Sequence, residues 1–492
     1  MRATSGRRPS SGTLRKLAWF HRWLGVATCL VFALWFASGA VMLFQPFPSL
    51  RRSAQLSLQA PVQRAAVTMS PRAVASASGE PVTALRLVQR SDAPAYIVTT
   101  ASDSFAVDAR SGRRLTDLTP REAEAAARAV RLAQAPSAAV EYDQWVVHNR
   151  FDPLRPLFRL DLADDTGTSL YLSARTGEFV QRTTLSDRAW NWVGAVLHWV
   201  YFTPLRASFT AWDRTVWILS LIALLVAIAG AILGVARTLV ALRQRRPALT
   251  FYRLRWMRWH HLLGLFSGLF VLTWALSGWL SMDHGRLFSR GQLTTDQHSR
   301  YTGAPMADAL PSQLPRAAPE ATRQFDFTVV AGRPLTVAWQ PDGSALTFGS
   351  GAAPLSAAAM RDLIGEAASR AFATGKGFRA APIDPAGTYA KAEGWPATAV
   401  RVDLADNGLP DVYSDGVDGR LLTVMDDSRA SYEWIYYALH TFNVPGLTTR
   451  PLLRKTLVVI PLLLGFMFSI TGVVLGFQRL RKASRSNQGA MR

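Results

Sequence analysis

Eight histidines are spread over the 492 residues, and four of them fall in register. His21 and His260 recur at an offset of 239, His198 and His440 at 242. The first two open apolar stretches at 19–44 and 259–280. The second two lie in short aromatic segments at 189–203 and 431–444. Cys29 is the single cysteine, so there can be no intrachain disulfide, thiolate-bound cluster or Cys-x-x-Cys-His attachment of haem. A redox cofactor would have to be held by histidine. Two facing imidazoles can supply both axial ligands of a b-type haem. The expectation is therefore haem b, two per chain, with iron ligands His21 and His260 near one membrane face and His198 and His440 near the other.

The neighbours of these histidines follow the same register. At 100° per residue, His21, Gly25, Thr28, Phe32, Trp35 and Gly39 share one helical stripe. His260, Gly264, Trp274, Ser277 and Gly278 repeat its His, Gly, Trp and Ser-Gly positions. Gly25, Gly264, Gly39 and Gly278 are expected to bind the cofactor by removing side chains where a flat macrocycle would press. The competing reading is structural: interfacial histidines snorkel or hydrogen-bond, and glycine stripes let helices pack. Trp35 and Trp274 could line an electron path or simply pack. His261, matched by Arg22, points about 100° away from His260 and ranks below it. His284 has no matched partner and is a candidate third ligand or substrate-facing group, against a solvated loop residue. His148 and His298 read as surface residues.

These side chains need a membrane to stand in. The four apolar stretches, at 17–44, 213–236, 257–281 and 453–478, are each long enough to cross about 30 Å of hydrocarbon. The first has a basic start, like a signal peptide, but is too long for one and reads as an uncleaved span. Pro461 should kink the fourth. The segments 189–204 and 431–446 are too short to span and suit interfacial helices. Between the spans lie two regions, 45–188 and 282–430, each expected to be an α+β domain. In the first, strands are expected at 84–88, 95–99, 105–108, 157–163 and 169–173. A helix capped by Thr119 with Pro120 at its first position should run to about Gln134. The second halves of the two repeats also align, at an offset of 242: 159–164 with 401–406, Tyr171 with Tyr413, Gly177 with Gly419, Gly230 with Gly472 and Gly234 with Gly476. The fold class expected is a mainly α membrane protein of four spans in two parallel-topology repeats, with a pseudo-two-fold along the membrane normal.

The formal net charge of +21 does not point to nucleic acid. Most of it sits in the tail 1–16, the loop 237–256 and the tail 479–492, which flank spans and carry no acidic residue. That is the pattern of cytoplasmic segments, so both termini are expected in the cytoplasm and the two large regions outside it. No Walker loop, G-x-G-x-x-G after a strand, H-E-x-x-H or G-x-S-x-G is present.

The chain resembles the PepSY-associated transmembrane helix family, the iron-regulated membrane proteins related to ferric-siderophore reductases. The resemblance rests on His21-x-x-x-Gly25 with Ser38-Gly39 and its copy at His260. It rests also on Leu197-His198 and Leu439-His440, and on the strand-turn segments 171–178 and 412–421. It implies a bacterial inner-membrane protein with periplasmic PepSY-like domains. Haem would carry electrons from a cytoplasmic or quinol donor to a ferric siderophore or similar ferric complex. The large second outer region departs from compact relatives. The alternative is a non-enzymatic binding or accessory protein in iron uptake or sensing.

Overall fold

The computed structural model describes residues 11–490 apart from 129, 247, 248, 251, 285, 286 and 407. Residues 1–10 of the basic tail, part of the basic loop and the last two residues thus lie outside the described residues. The chain divides into two compact units. One is helical (1–47, 190–287 and 432–492), and the other carries the sheets (48–189 and 288–431).

The helical unit is built on α1 (Ser11–Phe44), α2 (Phe209–Arg243), α3 (Arg255–Ser281) and α4 (Pro451–Ala490). All four are long and apolar enough to cross a membrane. Each closes its backbone hydrogen bonds internally, as hydrocarbon requires. Leu30, Ile232, Phe266, Leu269 and Met467 are exposed on their surfaces, which suits contact with lipid tails. α1 packs on α4 and α2, and α3 packs on the same two, so α1 and α3 stand diagonally across the bundle. Phe36, Val271, Val458 and Leu462 fill its middle, with Phe32, Trp274, Phe442 and Phe468 against them. α4 continues as one helix through Pro461.

The two short aromatic segments contain π-helical turns, Trp192–Val196 and Glu433–Ala438. Each ends beyond its histidine in a non-glycine residue with left-handed backbone, Val200 and Phe442, both at φ +55°. For β-branched Val200 in particular this is strained, at a cost on the order of 1–3 kcal/mol.

The sheet unit differs from the two separate α+β domains expected at 45–188 and 282–430. Its main sheet has six antiparallel strands contributed by both regions. They are β1 (Ala84–Arg90), β2 (Ala93–Thr99), β3 (Ser104–Asp108), β7 (Gln324–Val330), β8 (Arg333–Trp339) and β9 (Ala345–Phe348), in the order β3-β2-β1-β7-β8-β9. β1 and β7 meet at the centre, with Leu85 opposite Phe327 and Arg86 opposite Asp326. Leu85, Leu87, Phe325 and Phe327 are all buried on one core, so neither region could close that core alone. Smaller antiparallel sheets flank it: β4 (Leu157–Asp161), β5 (Ser169–Ser173) and β6 (Phe179–Thr183), and β10 (Phe378–Pro382), β11 (Val400–Leu404), β12 (Asp411–Ser414) and β13 (Leu421–Met425).

Thr119 forms the expected cap, completed as a capping box by Glu122. The helix it opens ends at Ala126 rather than near Gln134. Leu132 leaves to pair with Leu162, and Ala133 N–H donates to Asp161 O (2.8 Å). Pairing with the β4 edge overrides the helix propensity of the alanines.

Candidate cofactor site: two histidine pairs

His21 on α1 and His260 on α3 come from diagonal helices and meet with ring centroids 6.4 Å apart. His198 and His440, each just beyond a π-helical turn, meet at 6.3 Å with their planes 70° apart. Eighteen residues separate His21 from Gly39 and His260 from Gly278, the glycines beside the second pair. At 1.5 Å per residue the two pairs therefore lie about 27 Å apart along the spans.

The hydrogen bonds fix how each ring is used. His21 Nδ1 bonds to the carbonyl of Val226 on α2 (3.1 Å), which can only accept. His198 Nδ1 bonds to the carbonyl of Trp35 (3.2 Å) and to Ser38 Oγ (3.1 Å). His260 Nδ1 bonds to Thr471 Oγ1 on α4 (2.9 Å), and the Thr471 hydroxyl is given to the carbonyl of Phe468 (2.5 Å). His440 Nδ1 bonds to Ser277 Oγ (3.0 Å), whose hydroxyl is given to the carbonyl of Trp274 (3.3 Å). At His21 and His198 the carbonyl partner requires the proton on Nδ1, and at His260 and His440 the same tautomer goes with hydroxyls that donate to Phe468 O and Trp274 O; the neutral imidazole then holds its lone pair at Nε2. Metal-ligating histidines are oriented this way, by giving the other ring N–H to an oxygen.

Each of the four rings also lies against a glycine. A Cβ on Gly230 of α2 would sit 2.8 Å from His21 Cε1, and one on Gly472 of α4 3.7 Å from His260 Cε1. A Cβ on Gly39 would sit 3.3 Å from His198 Cε1, and one on Gly278 3.7 Å from His440 Cε1. Gly39 and Gly278 thus make room for imidazoles, whereas the sequence suggested room for a macrocycle. Gly264 is filled by Phe468, whose ring stacks on His260 at 4.6 Å. Gly25 faces open space.

The remaining histidines are placed elsewhere. His261 is buried, with Nε2 bonded to the carbonyl of Gly234 (3.2 Å) and Tyr252 edge-on at 5.5 Å. His284 pairs with Asp213 and stacks on Trp217. His148 caps the turn Asn149–Leu154, accepting from Arg150 N, and His298 is exposed. Of the two mid-span tryptophans, Trp274 donates Nε1–H to the carbonyl of His440 (3.0 Å), and Trp35 offers its carbonyl to His198. Thr471, the Val226 carbonyl and the π-helical turns carried no chemical signal in the sequence. Gly230 and Gly472 were visible there only as a matched pair.

Among the described residues, no group of three or more His, Cys, Asp or Glu could hold a bare ion. The donors come in twos. Two nitrogens suffice when a macrocycle supplies the other ligands. A metal–imidazole bond of about 2 Å and about 1.1 Å from nitrogen to ring centre, counted on both sides, put the centroids roughly 6 Å apart. The centroid separations of 6.3 and 6.4 Å match that spacing.

Four apolar helices and a sheet-bearing α+β region define a membrane protein of mixed architecture. A family model described as the PepSY-associated TM region matches residues 18–479, and the chain belongs to that family. No curated protein matches the chain.

Proposed function

We propose that the chain is a transmembrane electron conduit that holds two b-type haems and reduces a ferric complex, such as a ferric siderophore, outside the cytoplasm. One observation carries the reading. At two levels of one bundle, two imidazoles face each other with ring centroids 6.4 and 6.3 Å apart, each with Nδ1 bonded to an oxygen, the orientation that frees Nε2 for a metal. His21 and His260 would hold one haem, His198 and His440 the other. Bound haem supplies reversible one-electron chemistry.

The residues of the chain would do the rest. Val226, Thr471, Ser38 with Trp35, and Ser277 hold the four ligands in one tautomer. Phe36, Trp274, Phe442 and Phe468 keep the middle of the bundle dry and densely packed. The basic segments flank the His21 end, so that end faces the cytoplasm of a bacterial inner membrane, and electrons enter there from a cytoplasmic or quinol donor. The His198 end and the sheet unit then face the periplasm. Ferric chelates bind iron far more tightly than ferrous ones, so one electron loosens the metal while the covalent bonds of the chelator stay intact.

Haem content tests this. The purified protein should carry about two haems per chain and show a Soret band that shifts on dithionite. His21→Ala or His260→Ala should remove one haem and His198→Ala or His440→Ala the other. A colourless protein would end the reading and leave the accessory role.

A further inference from the structure

One ionisable pair in the helical unit has no part in holding the four ligands. His284 follows α3, and its Nε2 lies 2.7 Å from Asp213 Oδ2 in the first turns of α2. The imidazole stacks face to face on Trp217, at 4.9 Å and 15°. Trp217 in turn touches Trp279 at 5.9 Å. Trp279 adjoins Gly278, the glycine that faces His440. An unbroken line of contacts thus runs from beside the second histidine pair to His284. Both ends of the dyad are partly open to solvent, with 29% of the His284 side chain and 22% of that of Asp213 exposed.

A carboxylate bonded to one ring nitrogen fixes the tautomer and leaves the other to exchange a proton. Among the described residues nothing is bonded to His284 Nδ1. Asp213 on α2 is the carboxylate bonded to the ring; Asp283, the preceding residue, is buried and accepts from Leu287 N (2.7 Å).

We propose that His284 is the proton donor to the chelating oxygens of the ferric substrate, with Asp213 as its positioning residue. The inference rests on the electron-conduit reading. Ferric iron takes one electron, supplied at the other end by a quinol or a cytoplasmic reductant. Each anionic oxygen of the chelator that then leaves the iron takes one proton, so a hydroxamate takes one for its two iron–oxygen bonds. His284 gives that proton from Nδ1 while Nε2–H stays on Asp213. The neutral imidazole recovers its proton from water. Protonation makes iron loss irreversible, because a protonated hydroxamate or catechol oxygen no longer competes for the ferrous ion.

Two acceptors separate proton delivery from electron delivery. Ferricyanide takes an electron and keeps its ligands, so it needs no proton. Ferric tris(acetohydroxamate) must be protonated to come apart. In the full-length haem-loaded protein, His284→Gln and Asp213→Asn should slow hydroxamate reduction by about tenfold or more. Ferricyanide reduction, haem content and the reduced spectrum should be unchanged. If either variant loads haem and reduces both acceptors as the parent does, the proposal is wrong. Equal slowing on both acceptors overturns it too, in favour of an electron exit through His284. A parent protein that reduces neither acceptor would remove the conduit reading itself.

Discussion

The ring of His21 lies on the bare backbone of Gly230, where a methyl group would stand 2.8 Å from Cε1. No real Cβ tolerates that approach, so Gly230→Ala must push the imidazole off its position. At Gly472 the same methyl would meet His260 Cε1 at an ordinary 3.7 Å. Gly230→Ala should therefore lose the haem of the first pair while Gly472→Ala retains it, as haem per chain will measure.

The two hydroxyls beside the second pair should not be equivalent. His198 Nδ1 has both Ser38 and the carbonyl of Trp35, whereas the described partner of His440 Nδ1 is Ser277 alone. Removing the oxygen that orients a ligating histidine typically weakens metal binding about 10–100-fold. Ser277→Ala should approach that range and Ser38→Ala fall well short of it, as read from haem retention in dilution series.

His261 is next to a proposed ligand in sequence but is turned to Gly234 of α2. His261→Phe should leave haem stoichiometry and the optical spectrum intact. Loss of a haem would show that the wrong one of the two adjacent histidines had been assigned.

The sheet unit carries an acid poised to titrate. Burial, and then the charge of Asp415, push the Asp418 carboxyl up to about 6, against the pull of Arg420. The folded state therefore holds this proton more tightly than the unfolded chain, whose carboxyl titrates near about 4. The group's contribution to stability is greatest below that value and is lost as pH rises from about 4 to about 6. At pH 7 the penalty is on the order of 3 kcal/mol. Asp418→Asn keeps an oxygen for Arg420 N–H and should raise the unfolding temperature at pH 7 but not at pH 4, as thermal scans would show.

Much of this was legible in the sequence, for reasons visible in particular residues. Long apolar runs declare spans because hydrocarbon admits little else. The register of His21 with His260 and of His198 with His440 named the pairs, and the Ser-Gly motifs turned out to hold the rings of the second pair. What did not show was set by contacts between distant segments. Thr471 is an ordinary polar residue of a span until His260 lies beside it. The helix after Thr119 looked longer because nothing local announces that Leu132 will pair with Leu162. The sharing of one sheet by both regions was hidden because the edge of β1 finds its partner in β7, more than 230 residues on.

That shared sheet has a consequence for how the protein is made. Until Gln324 leaves the ribosome, β1 carries an unpaired edge beside Leu85 and Leu87, the sort of edge that recruits foreign strands. Two further hydrophobic segments must be threaded into the bilayer during that wait. A gene cut after its first half would therefore yield a sticky fragment in place of a smaller working protein, and biogenesis should depend on a chaperone that shields the waiting strand.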